Sequence, residues 1–181
     1  MQSPQSPNAV DASLAYVDML TALPNRRAVE ARLGEAMAGA KRADGLVGVV
    51  FFDIDGFKDV NDSFGHQVGD AVLVEFANRL KHAKRSADVV ARFGGDEFAA
   101  VYPDVASHEE LSDAAARIGA IFAEPVRVGN DRFALSASIG VAIYPRDGST
   151  SAELIEHADA AMYRAKSDGK AAIRWYSDEL G

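Results

Sequence analysis

Apolar residues recur at two different spacings along the chain, and each spacing predicts a different kind of element. Leu46–Phe52 is a continuous apolar run closed by acidic residues, which is typical of a strand buried on both faces. In the last helical segment, Thr150 and Glu153 stand at capping-box spacing, which favours a helix start there. Helical spacing predicts four helices, within residues 24–45, 69–88, 108–125 and 150–170.

Three further segments have the composition of strands. Residues 88–103 predict two short strands joined at Gly94 and Gly95, because glycine pairs tolerate the positive φ angles of tight hairpin turns. Residues 131–145 alternate around Ser136 and Ser138 and predict one strand, and residues 171–177 predict a short last strand. Strands and helices in mixed order around a central hairpin indicate an α+β fold, in which helices cover one sheet.

Composition narrows the class of protein. The chain has 181 residues, of which 48% are hydrophobic and 25% charged, enough for one globular domain. Its formal net charge of -8 disfavours binding to a nucleic-acid backbone but not to a small anionic ligand. The absence of cysteine excludes disulfides, zinc–thiolate sites and cysteine nucleophiles. The apolar runs are too short to insert into a membrane, and residues 1–10 resemble a linker rather than a signal peptide, so we expect a cytoplasmic module.

Two acidic clusters carry the candidate chemistry. Asp53 and Asp55 end the buried strand, and Asp96 and Glu97 are adjacent at the hairpin tip. Carboxylates this close repel each other unless a cation or a proton lies between them. If the hairpin pairs beside the first strand, Asp53 and Asp96 converge and offer oxygen ligands that suit Mg²⁺. The alternative, that these are ordinary solvated acids at strand ends, stays open on spacing alone.

The sequence resembles the GGDEF domains of diguanylate cyclases. Gly94–Phe98 spells GGDEF, and the blocks at 18–29, 51–73, 91–98, 136–145 and 158–170 follow the order of that family. The resemblance implies a central, mostly antiparallel sheet of about five strands covered by helices, as in nucleotidyl cyclases and polymerase palms. It also implies a domain at 18–178, preceded by a linker or helix end at 1–17. Residues 179–181 would then be a tail or the start of a further linker.

The family's reaction joins two GTP molecules into cyclic di-GMP and releases two pyrophosphates. By resemblance, Asp53, Asp96 and the carbonyl of Ile54 would bind Mg²⁺ or Mn²⁺. Either Asp96 or Glu97 would accept the proton of the attacking hydroxyl, and the sequence leaves that choice open. Lys58 would offset charge on the phosphates, although an exposed loop lysine is the plainer interpretation. Each domain holds one GTP, so the reaction implies a transient homodimer.

The resemblance also assigns substrate contacts. Asn61 and Asp70 have the donors and acceptors to read the guanine edge. Lys166 and Lys170 would bind the terminal phosphates, although cations at a helix end are also favoured by its dipole. Lys170 replaces the arginine usual in the family and loses its bidentate fork, and Ala22 replaces a usual glycine. The remaining expected contacts come from Phe57, His66, Gly94 and Gly95.

Arg85 and Asp88 form an RxxD pattern five residues before the GGDEF block. It resembles the family's inhibitory site for cyclic di-GMP, with Arg92 as a further candidate, and a surface salt bridge is the alternative. Residues 174–181 resemble the junction with an EAL phosphodiesterase domain. We therefore expect fused sensory and EAL domains in a larger protein. The alternative function is a non-catalytic module that binds GTP or cyclic di-GMP, but the intact acids at positions 53, 96 and 97 favour the enzyme.

Overall fold

The computed structural model describes residues 15–179, with side chains described up to Ser177. Most of the predicted N-terminal linker and the last two residues of the predicted tail lie outside this range. The helices are α1 Arg26–Ala43, α2 Phe57–Phe64, α3 His66–Ala83, α4 His108–Ala123 and α5 Ser151–Ser167. The strands are β1 Leu46–Asp55, β2 Val89–Gly94, β3 Glu97–Val105, β4 Val126–Val128, β5 Asp131–Phe133, β6 Ser136–Tyr144 and β7 Ile173–Trp175.

Five strands form the central sheet in the order β2-β3-β1-β6-β7. The pairs β2–β3, β3–β1 and β1–β6 are antiparallel, and β7 joins β6 in parallel at the edge. β4 and β5 form a separate two-stranded hairpin. The predicted α+β architecture with a mostly antiparallel sheet is confirmed.

Helices cover both faces of the sheet, and alternation along β1 decides what each face receives. Val49 and Phe51 pack in one cluster with residues of α1 and α5. Val50 and Phe52 pack in the other cluster, with α3 and α4. Side chains two apart on a strand share a face. Asp53 therefore lies on the same face as Phe51, toward α5.

Three short elements of the fold, α2, β4 and β5, were not predicted from the sequence. The segment after β1, for which the sequence predicted no element, contains α2, in which only Phe57 and Val60 are buried, too few to show a helical period. The single strand expected over 131–145 is divided into β5 and β6, and β4 pairs with β5 across a turn at Gly129. Strands of three residues are too short to show alternation. Within residues 15–179, no helix is long and apolar enough to cross a membrane.

Candidate functional site

The pairing of β1 with β3 assembles the candidate active site. Asp53 lies opposite Glu97 in the register of the two antiparallel strands. The Ile54 N–H donates a hydrogen bond of 3.2 Å to the carbonyl of Asp96, which holds the hairpin tip against the end of β1. The two acidic clusters of the sequence therefore meet at one edge of the sheet, as expected if the hairpin paired beside the first strand.

Asp53 is buried but not isolated, because a lysine from α5 reaches it. The residue is 5% exposed, and Lys166 Nζ lies 2.9 Å from its Oδ2. Burial raises the pKa of Asp53 to about 6; the hydrogen bond from Lys166 opposes this rise, and the negative charge of Asp96 adds to it. Burial and the neighbouring acids therefore make the charge of this carboxylate costly unless a cation lies beside it, as Lys166 does.

The ammonium group of Lys166 interacts with several acids of this site. Burial alone would lower its pKa, but the hydrogen bond with Asp53 and the charges of Asp96 and Glu97 raise it. Burial also raises the pKa of Glu97, and the charges of Asp159 and Asp96 add to that effect. Burial likewise raises the pKa of Asp159, a residue of α5 that the sequence did not indicate. Four carboxylates, those of Asp53, Asp96, Glu97 and Asp159, thus interact with the ammonium group of Lys166.

Asp55, unlike Asp53, is held by hydrogen bonds from neighbouring strands and loops. Its two carboxylate oxygens accept hydrogen bonds from the hydroxyls of Ser136 at 2.8 Å and Ser138 at 2.7 Å. The Ala171 N–H donates to it at 3.1 Å. These contacts join the end of β1 to β6 and to the segment before β7. The alternating serines of the sequence are therefore hydrogen-bond partners of Asp55, a function that the pattern alone did not reveal.

The protein groups at this site supply only part of the coordination shell that a divalent cation needs. Among the described residues, no group of three or more acidic or histidine side chains forms a metal cage. The end of β1 and the adjoining hairpin tip provide three candidate ligands: the carboxylates of Asp53 and Asp96 and the carbonyl of Ile54. Mg²⁺ in proteins is commonly bound by one or two carboxylates together with substrate phosphates and water. The residues present fit that mode of binding, in which the nucleotide brings the remaining ligands.

The segment after β1 places the other predicted contacts on α2. Gly56 precedes the helix with φ at 81°, a conformation that glycine adopts without strain. Phe57 is buried in the core with its ring against α3. Lys58 points into solvent with its side chain 88% exposed, and its nearest acidic partner is Asp62 at 4.0 Å. Among the ion pairs of the described residues, Lys58 therefore contacts Asp62 and none of the acids Asp53, Asp96 and Glu97.

The predicted guanine readers Asn61 and Asp70 lie on the adjoining helices α2 and α3. The side-chain oxygen of Asn61 lies so near Gly69 that a Cβ at that glycine would collide with it. Gly69 thus lets the two helices approach, and Asp70 follows it directly. His66 is the exposed first residue of α3. Asn61 therefore lies against the start of α3, the helix that also carries His66 and Asp70.

The two predicted phosphate-binding lysines take different positions. Lys166 lies at Asp53, whereas Lys170 follows the end of α5 with φ at 68°. Lys170 lines an open groove of about 680 Å³ with Asp55, Gly56 and Arg132. Gly94 and Gly95, with φ of 152° and 53°, form the turn before Asp96, and open space surrounds both. A ligand can therefore approach the backbone of this turn closely.

Arg85 and Asp88, the predicted inhibitory pair, lie together outside this site. The Asp88 carboxylate accepts the Arg85 backbone N–H at 2.9 Å and is buried. Arg117, which the sequence did not single out, lines the same cleft. Arg92 does not line it; its guanidinium contacts the Gly95 carbonyl at 2.9 Å and Asp18 at 3.2 Å. Arg92, predicted as a further residue of the inhibitory site, thus contacts Gly95 and Asp18 rather than Arg85 or Asp88.

Sequence and structure comparisons identify the family. The family model for the diguanylate cyclase GGDEF domain matches residues 15–172. The chain is 42% identical over 167 residues to the bifunctional diguanylate cyclase/cyclic di-GMP phosphodiesterase MucR of Pseudomonas aeruginosa, covering 92% of this chain and 24% of MucR. It is 40% identical over 171 residues to the diguanylate cyclase TpbB of that species, covering 94% of this chain and 39% of TpbB.

The structural comparison agrees. A structure of TpbB comprising only its GGDEF domain superposes with a TM-score of 0.86 at 39% identity, covering 91% of this chain and 97% of that one. The chain therefore belongs to the GGDEF domain family. It spans about a quarter to two fifths of the length of the two curated relatives.

Proposed function

We propose that this chain is a diguanylate cyclase domain that condenses two GTP molecules into cyclic di-GMP and releases two pyrophosphates. The observation that carries the proposal is the meeting of Asp53 with the Asp96–Glu97 hairpin tip, beside the ammonium group of Lys166. Membership in the GGDEF family supports it. The reaction is an attack by the 3′-hydroxyl of each GTP on the α-phosphorus of the other.

Asp53, Asp96 and the Ile54 carbonyl would hold Mg²⁺ or Mn²⁺. The cation would neutralise the triphosphate and lower the pKa of the attacking hydroxyl. Lys166 already lies at Asp53 and adds a positive charge for the terminal phosphates, while Lys170 lines the groove next to Gly56. Phosphoryl transfer depends mainly on such positioning and charge stabilisation.

Glu97 is the proton acceptor in this proposal. Burial and neighbouring acids raise its pKa, which makes it a stronger base than an ordinary glutamate. Asp96 supplies a metal ligand from the turn beside it. Asn61, Asp70 and His66 bind the guanine where α2 meets α3.

Two copies of the domain are needed, because each provides one nucleotide site. Product binds at Arg85 and Asp88, away from the acids, and inhibits the enzyme. The chain functions in the cytoplasm as part of a longer signalling protein with sensory and EAL domains. The greater length of its curated relatives supports that organisation.

The test is a chromatographic assay of the purified chain with GTP and Mg²⁺ at several protein concentrations. We expect cyclic di-GMP and pyrophosphate, formed at a rate that rises faster than linearly with protein concentration. ATP in place of GTP, and EDTA in place of Mg²⁺, are the controls. GTP binding without product at every concentration would instead favour a regulatory module that binds the nucleotide without converting it.

A further inference from the structure

The Arg85 side chain is already paired within the chain. Its guanidinium Nη1 forms a salt bridge with Oε1 of Glu110, a residue in the first turn of α4. Residues 85 and 110 are far apart in sequence, so only the tertiary fold brings them together. Arg85 keeps 61% of its side chain exposed, whereas Glu110 keeps 27%. The guanidinium is thus accessible from solvent, but one direction of approach is taken by a carboxylate.

Glu110 is fixed from both sides. Its second oxygen, Oε2, accepts the Ala106 N–H at 2.8 Å, and its own N–H donates to the Ser107 hydroxyl at 3.2 Å. The hydrogen bond from Ala106 and the contact with Arg85 lower the pKa of Glu110. The carboxylate therefore carries its charge at neutral pH and does not leave Arg85 merely by rotating into solvent.

The cleft between these groups is small. Its volume is about 10 Å³, enough for about one water molecule. Its charged lining consists of two guanidinium groups, from Arg85 and Arg117, and three carboxylates, from Asp88, Asp104 and Glu110. A phosphodiester ligand that binds the guanidinium of Arg85 from the side of this cleft competes with the Glu110 carboxylate, because both are anionic acceptors for the Nη1 donors.

We propose that Glu110 is an intramolecular competitor for the inhibitory site and sets the concentration at which cyclic di-GMP binds Arg85. This inference rests on the proposed inhibitory function of Arg85 and Asp88. Glu110 mimics one phosphate of the product and holds Arg85 until the product outcompetes it. Product inhibition consequently begins at a higher product concentration than it would with a neutral residue at position 110.

The experiment is isothermal titration calorimetry of cyclic di-GMP into the purified chain without GTP. Glu110→Gln keeps the size of the side chain and an acceptor for the Ala106 N–H, and it removes the charge. We expect it to bind cyclic di-GMP about two- to fivefold more tightly, the range that loss of one partly exposed ion pair allows. Glu109→Gln removes a charge from the adjacent residue and should leave the affinity unchanged.

Arg85→Ala separates this inference from the site it rests on. If Arg85→Ala abolishes binding and Glu110→Gln does not strengthen it, the competitor role is wrong and the inhibitory site stands. If Arg85→Ala leaves binding unchanged, both are wrong. The double variant Arg85→Ala/Glu110→Gln should bind no better than Arg85→Ala alone.

A stability control and a second substitution complete the design. Thermal unfolding of Glu110→Gln and Glu109→Gln shows whether the first turn of α4 is intact. If Glu110→Gln does not fold, Glu110→Ala leaves the Ala106 N–H to solvent and should give the same gain in affinity. Equal affinity of Glu110→Ala and the unsubstituted chain would overturn the proposal.

Discussion

The guanidinium of Arg92 contacts both carboxylate oxygens of Asp18 at 3.2 Å and joins the start of the domain to the hairpin that carries Asp96. The same guanidinium donates to the Gly95 carbonyl at 2.9 Å. Asp18 also accepts hydrogen bonds from the N–H and hydroxyl of Thr21. Burial opposes ionisation of Asp18, but the hydrogen bonds from Thr21 and Arg92 outweigh it and lower its pKa. The segment before α1 therefore holds the turn of the candidate active site.

Replacing Arg92 with Lys should weaken both the fold and the hairpin. Lysine keeps the charge but cannot contact Asp18 and Gly95 with one planar fork. We expect the free energy of unfolding to fall by about 1–3 kcal/mol and turnover to fall with it. Arg32→Gln, which breaks an exposed pair with Glu35, should change stability by less than about 1 kcal/mol. Urea denaturation of both variants tests this, and equal losses would contradict it.

Asp96→Asn should abolish cyclic di-GMP synthesis and leave the fold intact. The residue lies in a turn, so its side chain contributes little packing, whereas the amide is a poor ligand for a divalent cation. Product chromatography and thermal unfolding are the measurements. Asp113→Asn, at an exposed position of α4, is the control and should keep full activity. Undiminished synthesis by Asp96→Asn would overturn the proposed metal site.

The metal-free protein should become more stable as the pH falls from about 7 to about 5. Burial raises the pKa of Asp53 to about 6 and also raises the pKa of Glu97 and Asp159. In this window the folded state binds more protons than the unfolded chain, so the free energy of unfolding rises with acidity. The stability that these acids contribute when protonated is fully present below the pKa values of the unfolded chain. It is lost as the pH rises through the raised pKa values of the folded state.

Urea denaturation in EDTA at several pH values measures this dependence. Asp53→Asn removes the carboxyl group whose pKa is raised to about 6, and the stability of this variant should depend less on pH over the same range. A free energy of unfolding that falls steadily between pH 7 and pH 5 would show that the acids of the site are not as strongly desolvated as their burial indicates.

Gly140→Ala should severely destabilise the domain. A Cβ at Gly140 would collide with the carbonyl oxygen of Ala158 and the N–H of Met162, both in the backbone of α5. The helix cannot move away without opening the core, so we expect a loss of about 3 kcal/mol or more. Gly39→Ala is the matched control, because open space surrounds Gly39 within α1. It should increase stability by about 0.5–1 kcal/mol, and thermal unfolding compares the two.

Lys170→Arg should strengthen GTP binding. The position lies beside Gly56 in the open groove, and arginine restores a planar fork that can contact two phosphate oxygens. We expect about threefold tighter binding of GTP, measured by calorimetry on the Asp96→Asn background so that no turnover occurs. Lys41→Arg, in the last turn of α1, should bind GTP as the unsubstituted chain does.

The sequence by itself determined the type of fold and where its chemistry is concentrated. Long helices such as α5 repeat their apolar residues often enough to reveal a period, and β1 is too apolar to lie anywhere but in the middle of the sheet. The glycines at 94 and 95 predict the hairpin that the structure has, and the adjacent acids at 96 and 97 predict a ligand site at its tip. The short elements α2, β4 and β5 stayed hidden, since a few residues cannot display periodicity.

Tertiary structure alone decided which charges meet. Lys166 and Asp53 are 113 positions apart, and their contact follows from the packing of α5 against the face of β1 that carries Phe51. Asp55 becomes a structural group because β6 brings Ser136 and Ser138 beside it. Glu110 meets Arg85 because α4 begins next to the loop before β2. Charge is a property of single residues, but its compensation depends on neighbours that only the folded chain provides.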